Sequence, residues 1–264
     1  MSQKYGQNFL IDKNVANNIV KAADLKKQDK VLEIGPGKGI LTKIIQSQAK
    51  HLTAVEIDNN LFRKLSNYIT LNNIKNTKII NEDFLRYNVP TAKFKIISNL
   101  PYNTATAMIQ KFLPLKNWTY AILMLQKEVA RRLSAHPETK SYGYISIFTS
   151  CYAECKILFD VSPKCFNPQP KVVSSVIKLT NKNQKQPESL FFEFVKHFFS
   201  MRRKTILNCL ASFKYLKLEK NHALQIINAC NLNPFLRPDN LSISDFFHLT
   251  NEMKKMYNLS SVKV

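Results

Sequence analysis

The stretch richest in chemistry is Asn99-Leu100-Pro101-Tyr102. It ends the run Phe94-Lys-Ile-Ile-Ser98, which is short, apolar and β-branched and reads as a buried strand. Pro101 has no N–H for a ladder and biases Leu100 toward an extended backbone, so the Leu100 carbonyl can turn away from the sheet. An amide, a free carbonyl and an aromatic face then meet at the carboxyl end of a strand, where open α/β sheets bind ligands. Two acceptors and a ring face suit a planar base with an exocyclic amino group, adenine above all. The same four residues also fit a strand-ending turn with a buried tyrosine, and the tetrapeptide alone does not separate the two.

A second constellation lies upstream. Lys30-Val-Leu-Glu-Ile34 reads as a strand, Gly35-Pro36-Gly37-Lys38-Gly39 as a tight loop, and residues 40–45 as the start of a helix. Three of the chain's five glycines are in that loop. Such a unit lets backbone approach a nucleotide closely. The next strand, 51–55, runs into Glu56-Ile57-Asp58, near the spacing at which an acid holds ribose hydroxyls. An ordinary tight turn followed by a solvated acid is the alternative. The glycine spacing is neither the dinucleotide fingerprint nor a Walker loop. A third strand at 78–80 ends in Asn81-Glu82-Asp83-Phe84. Asp83 could accept from a base amino group and Phe84 lie along a ring; a turn acid and a core ring fit equally.

These residues need a scaffold. Helices are expected at 15–23, 59–71, 106–112 and 126–133, and further strands at 94–98 and 120–125. Alternation of this kind implies an α/β fold with a doubly wound, mainly parallel sheet. Residues 142–152 and 172–179 read as two more strands, an antiparallel pair at the sheet edge. Between them Phe166-Asn-Pro168-Gln-Pro170-Lys171 forms a stiff loop able to present Phe166, or simply to anchor it. Residues 181–187 read as a linker. Beyond them the pattern predicts a small all-helical domain, with helices at 190–199, 205–213, 222–230 and 242–257, the last opened by a Ser242–Asp245 capping arrangement. The expected domains are thus 1–180 and 181–264. Residues 4–12 show no clear period and by themselves read as a disordered start.

Composition narrows the partner. The net charge is +21 over 264 residues, about +14 in 1–180 and +7 in 181–264. Such an excess favours a polyanion, and neither part monopolises it. Met201-Arg202-Arg203-Lys204 is a candidate phosphate contact, or a solvated helix end. No apolar run is long enough to span a bilayer, and the N-terminus lacks a signal-peptide core. Five scattered cysteines without a Cys-x-x-Cys pair read as reduced thiols of a cytoplasmic protein. His136-Pro-Glu138 is half of a zinc-deaminase signature whose cysteine half is absent, so no metal is expected.

Taken in order, the motifs resemble those of the bacterial small-subunit (16S) rRNA adenine N6,N6-dimethyltransferases. The resemblance covers nearly the whole chain: Gly6-Gln-Asn-Phe-Leu10, Glu33-Ile-Gly-Pro-Gly-Lys-Gly39, Glu56-Ile-Asp58, Glu82-Asp83, Asn99-Leu-Pro-Tyr102, Gln126-Lys-Glu-Val-Ala130, Phe166-Asn-Pro-Gln-Pro-Lys-Val172, Arg202-Arg-Lys-Thr205 and Arg237-Pro-Asp-Asn-Leu-Ser242. Asn8 departs from it, standing where many relatives carry His. The resemblance implies a class I, Rossmann-like methyltransferase domain followed by the helical one. It implies S-adenosylmethionine as donor, held by Gly35, Gly37, Glu56, Ile57, Asp83 and Phe84, with Asn8 and Leu10 closing over it and Asn99 where donor and adenine meet. By the same token Asn99, Leu100, Tyr102 and Phe166 would engage the target base, and Arg202, Arg203 and Lys204 the RNA. The implied partner is small-subunit rRNA in a pre-30S particle, met by a monomer. The nearest alternative is a large-subunit rRNA methyltransferase of the antibiotic-resistance type. A non-catalytic RNA-binding assembly or transcription factor on the same fold is the second. A DNA adenine methyltransferase fits less well, since those usually carry Pro where Leu100 stands.

Overall fold

The structure is a computed structural model that describes residues 8–184, 186–213 and 219–257. Gly6 of the first motif and residues 4–7 of the stretch expected to be disordered lie outside the described residues. The chain divides into two compact units, one of residues 1–131 and 152–183, the other of 132–151 and 184–264.

The first unit begins with strand β1 (Phe9–Leu10) and helix α1 (Lys13–Ala22). Alternation then follows: β2 (Lys30–Ile34), α2 (Thr42–Gln48), β3 (His51–Glu56), α3 (Asn59–Leu71), β4 (Thr77–Asn81), β5 (Phe94–Asn99), α4 (Ala105–Phe112), β6 (Trp118–Gln126) and α5 (Lys127–Leu133). Asp12 and Asp58 cap α1 and α3, each accepting two backbone N–H groups of the first turn. In the sheet, β4, β3, β2, β5 and β6 are parallel neighbours in that order. The connections reverse direction between β2 and β5, and the Ser98 hydroxyl on β5 donates to the Ile34 carbonyl across that junction. The crevice outside the carboxyl ends at such a reversal is where this class of sheet binds ligands.

The edge departs from expectation. Residues 142–152 are not a strand: α6 (Tyr144–Tyr152) occupies them, with its body in the second unit. The segment is apolar or small on every side, so neither period 2 nor 3.6 is visible, and Ser146 and Thr149 are as buried as Ile147. The antiparallel partner is β7 (Ala153–Val161), which pairs with β9 (Ser174–Asn181); β9 in turn pairs antiparallel with β6. A separate two-stranded ladder joins β1 to β8 (Phe166–Asn167).

The second unit contains α7 (Ser189–Ser200), α8 (Ile206–Ala211), α9 (Lys220–Ala229) and α10 (Ile243–Met256). The expected Ser242–Asp245 capping box opens α10, each residue's side chain accepting the other's backbone N–H. Its core is aromatic: Phe194, Phe198, Phe213 and Phe246 are fully buried, and the Phe194 and Phe198 rings lie 4.5 Å apart.

Candidate active site

The β2–α2 loop forms one wall of a cavity of about 470 Å³, in the size range of small-molecule sites. Gly35, Gly37 and Gly39 all have positive φ, which favours glycine there. A Cβ at Gly37 would lie 3.2 Å from the Phe9 ring, and one at Gly39 2.6 Å from Leu65. Gly35 and Gly37 line the cavity, whereas Gly39 seats the loop against α3.

Glu56 is buried at the end of β3. One carboxylate oxygen accepts the Gly37 N–H at 3.0 Å and the other the Asp58 N–H at 2.9 Å. Each oxygen keeps a lone pair for a ligand hydroxyl. Burial raises the Glu56 pKa above the usual carboxylate range, with Asp58 adding to the rise and the Asp58 and Gly37 N–H groups opposing it. Ile57 beside it is 43% exposed and offers an apolar surface to the cavity. Asp83 and Phe84, just past β4, also line it. Asp83 uses one oxygen to accept the Leu85 N–H at 2.9 Å.

The sequence reading passed over two residues here. Glu33 lies inside β2, fully buried, and lines the cavity; its carboxyl accepts the Thr42 hydroxyl at 2.8 Å. Burial pushes its pKa up to about 8, with the Glu56 charge adding to the rise. An acid within the apolar run Val31-Leu-Glu-Ile34 was itself the signal, since buried acids are rare without a task. Lys111, on α4, donates to the carbonyls of Phe84 and Tyr87, 2.7 Å each, with its ammonium 5.2 Å from the Phe84 ring centroid. It clips the Asp83–Tyr87 turn to α4, and nothing in its sequence neighbourhood marks it.

Asn99, Leu100 and Tyr102 complete the cavity. Asn99 sits opposite Met124 in the β5–β6 register, and the Leu100 N–H donates to the Met124 carbonyl at 3.0 Å. Pro101 ends the ladder there. Among the described residues no hydrogen bond takes the Leu100 carbonyl or the Asn99 side-chain amide. Tyr102 shares a 2.7 Å hydrogen bond between its hydroxyl and that of Ser174, a buried residue on β9, which fixes the ring. Burial raises the Tyr102 pKa, so the phenol stays neutral.

The N-terminal strand closes one side. Asn8, Phe9 and Leu10 line the cavity. The Phe9 ring packs on Gly37 with the Lys38 ammonium 4.7 Å from its centroid. Leu10 pairs with Phe166 and Phe9 with Asn167, and the Ile11 N–H donates to the Cys165 carbonyl at 2.9 Å. Phe166 does not reach the cavity. Its ring is buried in the hydrophobic core with Leu10, Met124 and Val176, and its backbone pairs with Leu10 of the N-terminal strand.

The basic cluster belongs to the second unit, and its residues divide. Arg202 is tied up within that unit: its guanidinium donates to the carbonyls of Lys140 (3.0 Å) and Thr139 (3.3 Å) and pairs with Asp239 at 3.4 Å. The Asp239 carbonyl also accepts the Glu138 N–H at 2.8 Å. Arg202 therefore joins two loops of its own unit rather than offering a free cation. Arg203 and Lys204 are exposed.

Comparison with known proteins agrees with this geometry. Residues 1–255 match the family model described as ribosomal RNA adenine dimethylase. A ribosomal RNA small subunit methyltransferase A of Alkaliphilus oremlandii is 42% identical, covering 96% of this chain and 92% of its own. The protein of the same description from Malacoplasma penetrans is 40% identical over 91% and 87%. Among solved structures, a dimethyladenosine transferase from Plasmodium falciparum superposes with a TM-score of 0.80 at 26% identity, over 94% of this chain and 98% of that one. The 23S rRNA methyltransferase ErmE shares the fold, with a TM-score of 0.70 at 24% identity over 94% and 100%. A glycine cradle, buried acids and an amide–carbonyl–tyrosine edge around one cavity thus occur in a chain that belongs to the ribosomal RNA adenine dimethylase family.

Proposed function

We propose that the chain is a cytoplasmic enzyme that transfers methyl groups from S-adenosylmethionine to the N6 amino groups of adenines in small-subunit rRNA during ribosome assembly. The observation that carries this reading is the pairing, on one cavity, of two unused acceptors at Asn99 and Leu100 with a carboxylate and glycine cradle. The cradle fits the donor chemically. Glu56 keeps lone pairs for a diol, Asp83 an oxygen for a base amino group, and Ile57 and Phe84 an apolar slot.

When bound, the donor supplies an electrophilic sulfonium methyl, so the protein needs no nucleophile of its own. Its task is to make a poor nucleophile reactive, because an adenine amino lone pair is delocalised into the ring. Accepting both N–H groups at Asn99 Oδ1 and the Leu100 carbonyl favours a pyramidal nitrogen. The same acceptors gain strength as positive charge builds on that nitrogen, the oxyanion-hole argument with the sign reversed. Tyr102, held by Ser174, offers its ring face to a base turned out of its stack. Neither an amide nor a peptide carbonyl is basic enough to keep the departing proton, which is left to solvent. A monomethylated amine still has one N–H, so a second round needs only space.

Incubating the protein with labelled S-adenosylmethionine and unmethylated small ribosomal subunits, then mapping modified nucleotides by mass, tests the reading. Dimethylated adenines in small-subunit rRNA are expected. Label confined to large-subunit rRNA would replace this reading with the antibiotic-resistance type, and no label at all with a non-catalytic RNA-binding factor.

A further inference from the structure

The second unit carries an exposed aromatic that the reaction does not use. Phe235 is 76% exposed, in the turn Asn233-Pro-Phe-Leu-Arg237 between α9 and α10. Single exposed apolar residues are commonplace, so exposure alone says little. The backbone that carries this one is held on both sides. Its own N–H donates to the Asn233 side-chain oxygen at 3.0 Å, and the Leu236 N–H to the Asn233 carbonyl at 3.1 Å. The flanking carbonyls are fastened to the start of α8: the Leu236 carbonyl accepts the Ile206 N–H at 2.7 Å and the Pro234 carbonyl the Leu207 N–H at 3.3 Å. After it, the Arg237 N–H donates to the Asn240 side chain at 2.9 Å.

The cations lie beside it in the chain and across those bonds. Arg203 and Lys204 lie three and two residues before Ile206, which holds the turn, and Arg237 ends the turn; all three are exposed. None of the three is paired with a carboxylate among the described residues, unlike Arg202 next to them. A turn whose backbone is already braced costs little backbone entropy to dock. An exposed ring with exposed cations near it in the chain and across the bonded α8 start suits an unpaired base between phosphates, since any base can stack and the backbone supplies the charge.

We infer that Phe235 stacks on an unpaired base of the rRNA substrate, with Arg203, Lys204 and Arg237 on the adjoining phosphates, as a docking contact of the helical unit separate from the cavity where methyl transfer takes place. This rests on the small-subunit rRNA reading above and adds to it a second, single-stranded RNA contact.

The test uses the full chain, unmethylated small subunits and the protein-free rRNA extracted from them. Phe235→Ala should weaken binding to both about tenfold, with the slope of affinity against salt unchanged and the single-turnover methylation rate at saturating RNA unaltered. Phe235→Tyr should bind as wild type. Arg203→Ala and Arg237→Ala should each reduce the salt slope by about one phosphate contact. Equal binding by Phe235→Ala and a wild type that methylates small subunits would overturn the stack and leave the function standing. Weakened binding to whole subunits but not to free rRNA would also overturn it, since the partner would then be a ribosomal protein. A wild type that neither binds nor labels small-subunit RNA would remove both readings together.

Discussion

The cavity of the first unit and the Arg202 junction of the second are both built from polar side chains, and they use them in opposite ways. At the junction the polar groups satisfy one another: Arg202 with Thr139, Lys140 and Asp239, Tyr142 with the Leu241 carbonyl, Ser242 with Asp245. At the cavity they are oriented but left with capacity over: Glu56 by two N–H groups, Tyr102 by one hydroxyl, Asn99 and Leu100 by the strand alone. Both regions carry family motifs, so a motif does not announce which kind it is. Unused hydrogen-bonding capacity in a concave site does.

The contrast can be broken most forcefully at Asn99. Asn99→Ala should slow single-turnover methyl transfer by about 10²-fold or more, as for loss of one preorganised hydrogen-bonding group, with RNA affinity barely changed. Recovery of the wild-type rate at saturating donor and RNA would make Asn99 a binding residue and dismantle the mechanism. Next comes Glu56→Ala, which should cost about 1.5–3 kcal/mol of donor affinity by calorimetry, since charge-assisted bonds and the Gly37 tether go together. Unchanged affinity would take Glu56 out of the donor site.

Glu33 sharpens the comparison through pH. Its carboxyl, normally near 4.5, is raised to about 8 in the fold. The native state therefore holds a proton that the unfolded chain has already lost. This contribution to stability is full below about pH 4.5 and falls away as pH rises through about 8. Glu33→Gln should remove that decline, whose gradient reaches about 1 kcal/mol per pH unit in denaturant titrations. Parallel pH profiles for variant and wild type would show that Glu33 is ionised in the fold. At the junction, Arg202→Ala should cost about 1–2 kcal/mol of stability while leaving the salt dependence of RNA binding as it was. A shallower salt slope with no loss of stability would make Arg202 a phosphate ligand after all.

Much of this was legible beforehand, for identifiable reasons. Helix α3 falls on residues 59–71 as expected, because Asp58 caps it and its apolar residues keep a helical period. The parallel strands are compact apolar runs between turns, and the cavity residues follow because they sit at strand ends. Strand β7 escaped notice because it lies at the sheet edge and buries only its two ends, leaving no alternation to read. Helix α6 was mistaken for a strand because a helix apolar all round has no face to show. The burial of Phe166 and the partners of Arg202 are not legible, because residue types do not name their contacts. A ring packed on Leu10 and a guanidinium on two carbonyls are tertiary facts.

The Lys111 clip has a consequence for alignment. The turn after β4 is bonded to α4 by that ammonium, and Asn99–Tyr102 leads into α4, so one side chain joins these two walls of the cavity. Another wall is β1, held by its ladder to β8, the Ile11–Cys165 bond, the seat of Phe9 on Gly37 and the burial of Leu10 in the core. One ammonium thus ties together the turn that carries Asp83 and the helix that follows Asn99–Tyr102, so its loss would loosen both sides of the cavity at once.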